Sequence, residues 1–172
     1  MATISSSPIV SADGVLTITD ATSPTPLSYT VAYDMGDFKI SGLNKANKET
    51  AQFYSRGKFF AARDVKDKEF SFSFTAHLIG LLGETGAPTI NDVILRKKDW
   101  SAAVSTLPTA AGDTFHHTLT WTAERSNLGA TTDDTFVLKY CELSVDWAEG
   151  DGSTVTVNGI AKMYSTDGMV IS

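Results

Sequence analysis

A chain of 172 residues, 42% hydrophobic and 20% charged, is long enough for one domain with a real core and too apolar to stay disordered. Its net charge of -6 argues against general nucleic-acid binding, which needs clustered Lys and Arg. Cys141 is the only cysteine, so no internal disulfide can form and a disulfide-stapled secreted scaffold is excluded.

Met1-Ala2-Thr3-Ile4-Ser5 lacks the basic start and apolar core of a signal peptide, and residues 1–12 read as a flexible arm. Val15 to Thr19 is a short strand. The prolines between Thr22 and Pro26 mark a connection. Tyr29, Val31 and Tyr33 alternate with smaller residues, and Asp34-Met35-Gly36-Asp37 turns the chain into Phe38-Lys39-Ile40, which predicts a hairpin.

Residues 43–68 form the least regular long stretch and hold half of the chain's Lys and Arg, mixed with Phe53, Tyr54, Phe59 and Phe60. A long insertion of this kind is often functional, and basic and aromatic residues on an acidic protein suit docking onto a copy of itself. A pair of amphipathic strands with a charged, solvated face is the plainer alternative. A nucleic-acid patch is disfavoured by the interrupting Glu49, Asp64 and Asp67.

The clearest strand follows. Phe70, Phe72 and Phe74 point one way, toward a deep core, while Glu69, Ser71, Ser73 and Thr75 point the other. Ile79 to Leu82 is far too short to span a membrane, and no membrane anchoring is expected. Thr89 has the form of a helix N-cap with Asp92 in the first turn, and Ile90, Val93, Ile94, Trp100 and Val104 recur at helical spacing. Arg96-Lys97-Lys98 should face outward. Beyond Gly112, Phe115, His117, Leu119 and Trp121 alternate with His116, Thr118, Thr120 and Thr122 as another strand.

Phe136 to Tyr164 reads as a long hairpin about Glu149-Gly150-Asp151-Gly152-Ser153. Phe136, Leu138 and Tyr140 share one parity, whereas Leu143, Val145 and Trp147 share the other, with Cys141 and Glu142 at the slip. Either a bulge corrects the phase or the strand passes from one packing environment into a neighbouring subunit. Cys141 there reads as a small buried hydrophobe. The final Met169-Val170-Ile171 could pair or fray.

No catalytic or metal site is advertised. His116 and His117 are adjacent on a strand and cannot chelate one ion together, and His77 stands apart. Asp133-Asp134 and Glu149/Asp151 lie in turns, where acids are ordinary. The calcium-loop ligand succession, phosphate-cradling glycine loop, nucleophile elbow and HExxH are all missing, so no cofactor is expected and an enzyme is the weakest class.

Asp146-Trp147-Ala148-Glu149-Gly150-Asp151-Gly152, answered by Ser153-Thr154-Val155-Thr156-Val157-Asn158-Gly159, resembles the C-terminal part of tail tube proteins of long-tailed bacteriophages. Gly36-Asp37-Phe38-Lys39-Ile40-Ser41-Gly42, then Tyr54-Ser55-Arg56-Gly57-Lys58, then Phe70 to Phe74, are similar to that family's first sheet and loop in the same order. The resemblance covers about Gly36 to Tyr164. It implies hexameric rings of the chain itself, stacked into a tube whose sheets join around a lumen. Implied partners are a tape measure protein and tail-end proteins, with DNA passing through unbound. The implied location is the virion tail, and the host cytoplasm during assembly.

The expected fold is mainly β, a sandwich or partly closed barrel with one flanking helix, in one domain over residues 1–172. Glu69, Ser71, Ser73, Thr75, Glu142 and Asp146 are the candidate lumen residues. Arg56, Lys58, Phe59, Phe60 and Arg63 are the candidates for ring-to-ring contact, since the resembling loop reaches the next ring. Some family members carry an immunoglobulin-like decoration after the tube domain; this sequence stops soon after Tyr164, so a smooth tube is expected. Two rivals remain. One is a carbohydrate-binding module using Trp100, Trp121 or Trp147; the other is a capsid decoration or tail-completion subunit.

Overall fold

The computed structural model describes residues 14–32, 37–42, 48–107, 113–123, 133–148, 154–162 and 169–171. Ten strands and one short helix make up most of them. β1 is Gly14–Thr19, β2 Ser28–Thr30, β3 Lys39–Ser41, β4 Lys48–Ser55, β5 Lys58–Asp67 and β6 Phe70–His77. Helix α1 (Ile90–Leu95) and a 3₁₀ turn (Lys98–Ala102) precede β7 (His117–Ala123), β8 (Asp134–Asp146), β9 (Thr154–Ala161) and β10 (Met169–Ile171). One large antiparallel sheet runs β2-β1-β7-β8-β9-β6-β3, β10 pairs with β8, and β4 and β5 form a separate ribbon. The fold is mainly β with a flanking helix, as expected from the sequence.

Strand β8 joins two half-sheets. Its first part pairs with β7 from Asp134 to Cys141, and its second pairs with β9 from Cys141 to Asp146. Leu119 faces Leu138 but His117 faces Cys141, so β8 carries one extra residue between them. This bulge is the phase slip seen in the sequence, placed at Lys139–Tyr140, just ahead of the expected Cys141–Glu142. It turns Phe136, Leu138, Cys141, Leu143 and Val145 toward one core despite their mixed parity. Burial pushes the Cys141 thiol well above its ordinary pKa, in keeping with a buried hydrophobe.

Cross-strand rows build the core. Ile18, Leu119 and Leu138 lie abreast, as do Phe70, Ala161, Cys141 and His117. Phe74, Val157 and Val145 form a further row. In the row Phe72–Gly159–Leu143, the phenyl ring lies across the glycine; a Cβ there would sit 2.1 Å from Phe72 Cζ.

The helix is shorter than its spacing suggested. Thr89 caps it and Asp92 returns the bond to the cap, but Arg96 turns left-handed (φ 51°) and Lys98 follows (φ 52°), ending α1 after six residues. Trp100 is carried into the core by the 3₁₀ turn instead. Arg96, Lys97 and Lys98 are exposed, as expected.

The hairpin expected over Tyr29 to Ile40 does not form. β2 pairs with β1 and β3 with β6, at opposite edges of the sheet. The connection instead laces those edges: Val31 N–H donates to Leu16 O at 2.8 Å and His77 N–H to Ala32 O at 2.8 Å. Alternation alone does not select a partner, and both segments found better ones elsewhere. Within the 43–68 stretch, Lys48–Asp67 is not an irregular loop but the strand pair named as the plainer alternative: β4 and β5 form an antiparallel ribbon about Arg56-Gly57, both at positive φ (50° and 77°), as a primed hairpin turn requires. Met169–Ile171 pairs with the chain's own β8. The 1–12 arm and the 149–153 turn lie outside the described residues.

Gly159→Ala should force the Phe72 ring aside and cost about 1–3 kcal/mol. Thermal melting should show a drop of several degrees, and adding Phe72→Leu should recover part of it. An unchanged melting temperature would remove this contact from the account of the core.

Candidate functional site

Two surfaces stand out. The first is the polar side of the half-sheet β3-β6-β9-β8. Its pleat alternates, so the residues between the core rows all emerge on the opposite face. Ser41, Ser71, Ile160 and Glu142 lie abreast; the next row is Lys39, Ser73, Asn158 and Ser144, and the third is Thr75, Thr156 and Asp146. The structure therefore brings Ser71, Ser73, Thr75, Glu142 and Asp146 onto one wall, with Glu69 exposed just ahead of β6.

Hydrogen bonds tie this wall laterally. Asn158 Nδ2 donates to Asp146 Oδ2 at 2.6 Å, and Ser144 Oγ donates to the Asn158 carbonyl at 3.2 Å. Glu142 is held at the wall's end by Lys162, and its Oε1 lies 3.2 Å from Nε2 of buried His116. The Glu142 carboxylate, by hydrogen bond and by charge, raises the Lys162 pKa. The sequence reading missed Lys39, Ser144, Thr156, Asn158 and Lys162. The first four could have been found by extending the Phe70–Thr75 alternation to its pairing partners.

The wall is open at one margin. β7 ends against Cys141, so among the described strands Glu142–Asp146 of β8 is paired only on its β9 side. Residues 113–116 peel away there, with His116 bonded to Ser105 Oγ and Thr106 rather than to β8. A cleft of about 530 Å³ results, between Phe115 and Arg96 on one side and Glu142, Leu143 and Ser144 on the other. Arg96 stacks over Phe115 at 4.9 Å.

The second surface is the β4–β5 ribbon. Phe53, Tyr54, Phe59 and Phe60 are 48%, 60%, 62% and 78% exposed, an unusual amount of aromatic area left in water. Bulges in the pairing, opposite Glu49/Thr50 and Phe53/Tyr54, twist it. Tyr54 and Phe59 meet edge-to-face at 6.1 Å, while Phe53, Phe60, Ala61 and Arg63 line a shallow apolar pocket. Lys66 and Glu49 form a surface pair at 2.9 Å. Arg56, Lys58, Phe59, Phe60 and Arg63 thus share one projecting ribbon, with Arg56 in its turn. A two-stranded ribbon is marginal alone in water.

The tryptophans make no common platform: Trp100 is core, Trp121 packs against Gly14, and Trp147 is exposed. Among the described residues no cluster of His, Cys, Asp or Glu could hold a metal.

No family model matches the chain, and no curated protein matches its sequence. Solved structures do match its fold. Over 98% of its length it is similar to 99% of a chain from an extracellular contractile injection system, the PVC sheath/tube terminator in the extended state, with a TM-score of 0.55 and 10% identity. A chain of the PVC sheath-tube complex in the extended state matches with a TM-score of 0.55 and 11% identity, over 98% of this chain and 93% of that one. The anti-feeding prophage cap, described as a tube terminating cap, matches with a TM-score of 0.55 and 11% identity, over 100% of this chain and 95% of that one. At such identity the likeness is one of fold.

His117, next to the cleft, packs between Trp100 and Phe115, and burial lowers its pKa from 6.5 to about 4. The folded state takes up its proton less readily than the unfolded chain. Stability should therefore be full above pH 6.5 and drain away as pH falls toward 4, by up to about 3 kcal/mol. Urea midpoints between pH 7 and 4.5 should fall, and His117→Gln should flatten that slope; an equal slope in the variant would assign the acid lability elsewhere.

Proposed function

We propose that this chain is a non-enzymatic structural subunit of a phage-type tail, forming rings that stack into the tube through which DNA leaves the particle. The observation that carries this reading is the continuous wall of Ser, Thr, Asn and acidic side chains on β3, β6, β9 and β8, backed by a dense core. Hydroxyls and amides keep such a wall wet, while Glu142 and Asp146 discourage adhesion of a polyanion. The fold likeness to tube terminator, sheath-tube and cap proteins of contractile injection systems supports it. So does the sequence resemblance to tail tube proteins.

The dimensions are suitable. Six copies of a four-stranded sheet, spaced about 4.8 Å and tilted about 40°, close at a backbone diameter of roughly 45–50 Å. After side chains, that leaves ample room for a DNA duplex. The β4–β5 ribbon then becomes the ring-to-ring contact, burying Phe59 and Phe60 and placing Arg56, Lys58 and Arg63 against acidic groups of the next ring. The tape measure and tail-end proteins are the further partners of this reading, and the virion tail its location.

A second reading follows from two of the fold relatives: a cap that ends a tube rather than building it. Negative-stain microscopy of the purified chain separates the two, since tubes favour the subunit and single unstacked rings favour the cap. A monomer at high concentration would overturn both. In the tube case, Arg56→Glu/Arg63→Glu should shorten or abolish tubes while circular dichroism stays that of the folded chain. Unchanged tube length would remove the ribbon from the assembly.

A further inference from the structure

We infer that the loop of residues 79–82 and the turn at residues 96–98 beside it form one surface that docks on an anionic lipid bilayer. This goes beyond the tube reading and does not depend on it. The polar wall plays no part. Helix α1 packs Ile90 and Val93 into the core, so this surface lies on the other side of the sheet from the wall.

Apolar residues in a glycine-rich loop ordinarily fold back onto the core; here they are held out. Ile79 is 85% exposed, and Leu81, Leu82 and Leu95 at the end of α1 are exposed with it. The helix beneath fastens the backbone between them. The Leu81 carbonyl accepts from Nδ2 of buried Asn91 at 3.1 Å, and Gly83 N–H donates to Oδ2 of buried Asp92 at 2.6 Å. Ala87 N–H donates to Glu84 O at 3.0 Å and closes the base of the loop. A Cβ on Gly83 would collide with the Ala87 carbonyl, so this seat requires glycine. Backbone groups satisfied in this way need not be stripped of water when the tip enters an apolar medium.

Cations flank the tip because α1 is so short. After its six residues the left-handed Arg96 reverses the chain, and the 3₁₀ turn comes back beside the loop, where Asp99 Oδ2 accepts from Gly86 N–H at 2.6 Å. Lys98 is close enough to Asp92 for its charge to be felt there. Arg96, Lys97 and Lys98 are exposed, and between Ile79 and Trp100 the only exposed acid is Glu84. On a chain of net charge -6 this is a local reversal of sign. An apolar tip collared by cations fits the layers of a bilayer surface, anionic headgroups above acyl chains. A protein partner fits less well, since hydrated lysines and a small aliphatic tip lack the aromatic anchors that dominate protein interfaces. The contact is peripheral: among the described residues no helix is long and apolar enough to cross a membrane. On a tube, the surface would face outward, where a conduit delivering DNA into a cell meets the membrane.

The experiment floats the full chain with vesicles of phosphatidylcholine alone, or of phosphatidylcholine with about one-third phosphatidylserine. The unaltered chain should float with the anionic vesicles roughly fivefold more than with the neutral ones, and added salt should erase the difference. Leu81→Ser/Leu82→Ser should cut flotation with anionic vesicles by about fivefold. Lys97→Gln/Lys98→Gln should remove the preference for the anionic set. All four side chains are exposed, so circular dichroism and melting should match the unaltered chain. Ile79→Trp, read against the unaltered chain, should add blue-shifted emission on anionic vesicles. No flotation with either vesicle, or equal flotation of the serine variant, would overturn the proposal. Self-association that the serine pair abolishes, without vesicle binding, would assign the tip to a second copy and overturn it too. Rings in negative stain without flotation would remove this surface and leave the tube reading standing; flotation without rings would do the reverse.

Discussion

At Lys139–Tyr140 a single extra residue changes the side of β8 that faces each neighbour, and both half-sheets depend on it. Ahead of the bulge, Leu138 sits in the row of Ile18 and Leu119; after it, Cys141 sits in the row of Phe70, Ala161 and His117. The polar groups the bulge frees are satisfied in place. The Lys139 carbonyl accepts from Thr106 Oγ1 at 2.7 Å and Thr118 Oγ1 at 3.2 Å, and the Tyr140 carbonyl accepts from Lys162 N–H at 2.9 Å. The Cys141 sulfur lies 3.4 Å from the Leu138 carbonyl and fills the space beneath. Without the inserted residue, Glu142, Ser144 and Asp146 would turn into the core and Leu143 and Val145 out of it.

Two buried carboxylates fix the connections around this frame. Asp92 Oδ2 accepts from Gly83 N–H at 2.6 Å and from Thr89 N–H and Oγ1 at 2.8 and 2.9 Å. It thereby ties the glycine-rich crossing to the start of α1. Burial works against the charge, but the Thr89 and Gly83 donors outweigh it and hold the carboxyl below its ordinary value. Asp20 does the same across a longer span, accepting from Leu27 N–H at 2.7 Å, Val104 N–H at 2.9 Å and the Thr22 hydroxyl. Its pKa is again lowered although desolvation pulls upward. Each is a polar anchor for a connection that has no regular backbone ladder of its own. With α1 stopped after six residues, these anchors fix the chain on either side of the 3₁₀ turn that carries Trp100 into the core.

Much of this was legible because it depends on local periodicity. The Phe70–Phe74 alternation, the Thr89–Asp92 cap and the parity slip in β8 are each set by neighbours within a few residues. What failed was long-range. Tyr29–Val31 and Phe38–Ile40 look like hairpin arms, yet β2 turns back onto the preceding β1 and β3 pairs with β6, some thirty residues on. The helical spacing from Ile90 to Val104 was real as spacing, but the left-handed Arg96 and Lys98 interrupt it. The wall was half legible: parity found Ser71, Ser73, Thr75, Glu142 and Asp146, but joining them to Lys39 and Asn158 needed the registers of three strand pairs. The cleft was not legible at all, since at its margin His116 bonds to Ser105 and Thr106 instead of extending β7 along β8.

Edges decide what such a sheet does in solution, because an unpaired strand border accepts almost any other. Here most of the border is closed internally. β6 is covered in turn by β3, by Asp37, whose carboxylate accepts the Thr75 amide at 3.1 Å, and by the Ala32 carbonyl at His77. β10 shields the first part of β8 on the side that β9 leaves. The outer strands β2 and β3 are three residues long, too short to template indiscriminate pairing. Against that background, among the described strands only the β7-side border of Glu142–Asp146 in β8 is left unpaired over five residues, beside the cleft and with acids at both ends. The exposed aromatic ribbon is the other surface left unfinished. Among the described strands β4 and β5 pair only with each other, so the ribbon is separate from the large sheet. One opening lies in the plane of the sheet and the other on a separate ribbon. Under the proposed function, those two surfaces would let the molecule extend in two directions at once, which is the geometric requirement for a wall built of identical parts.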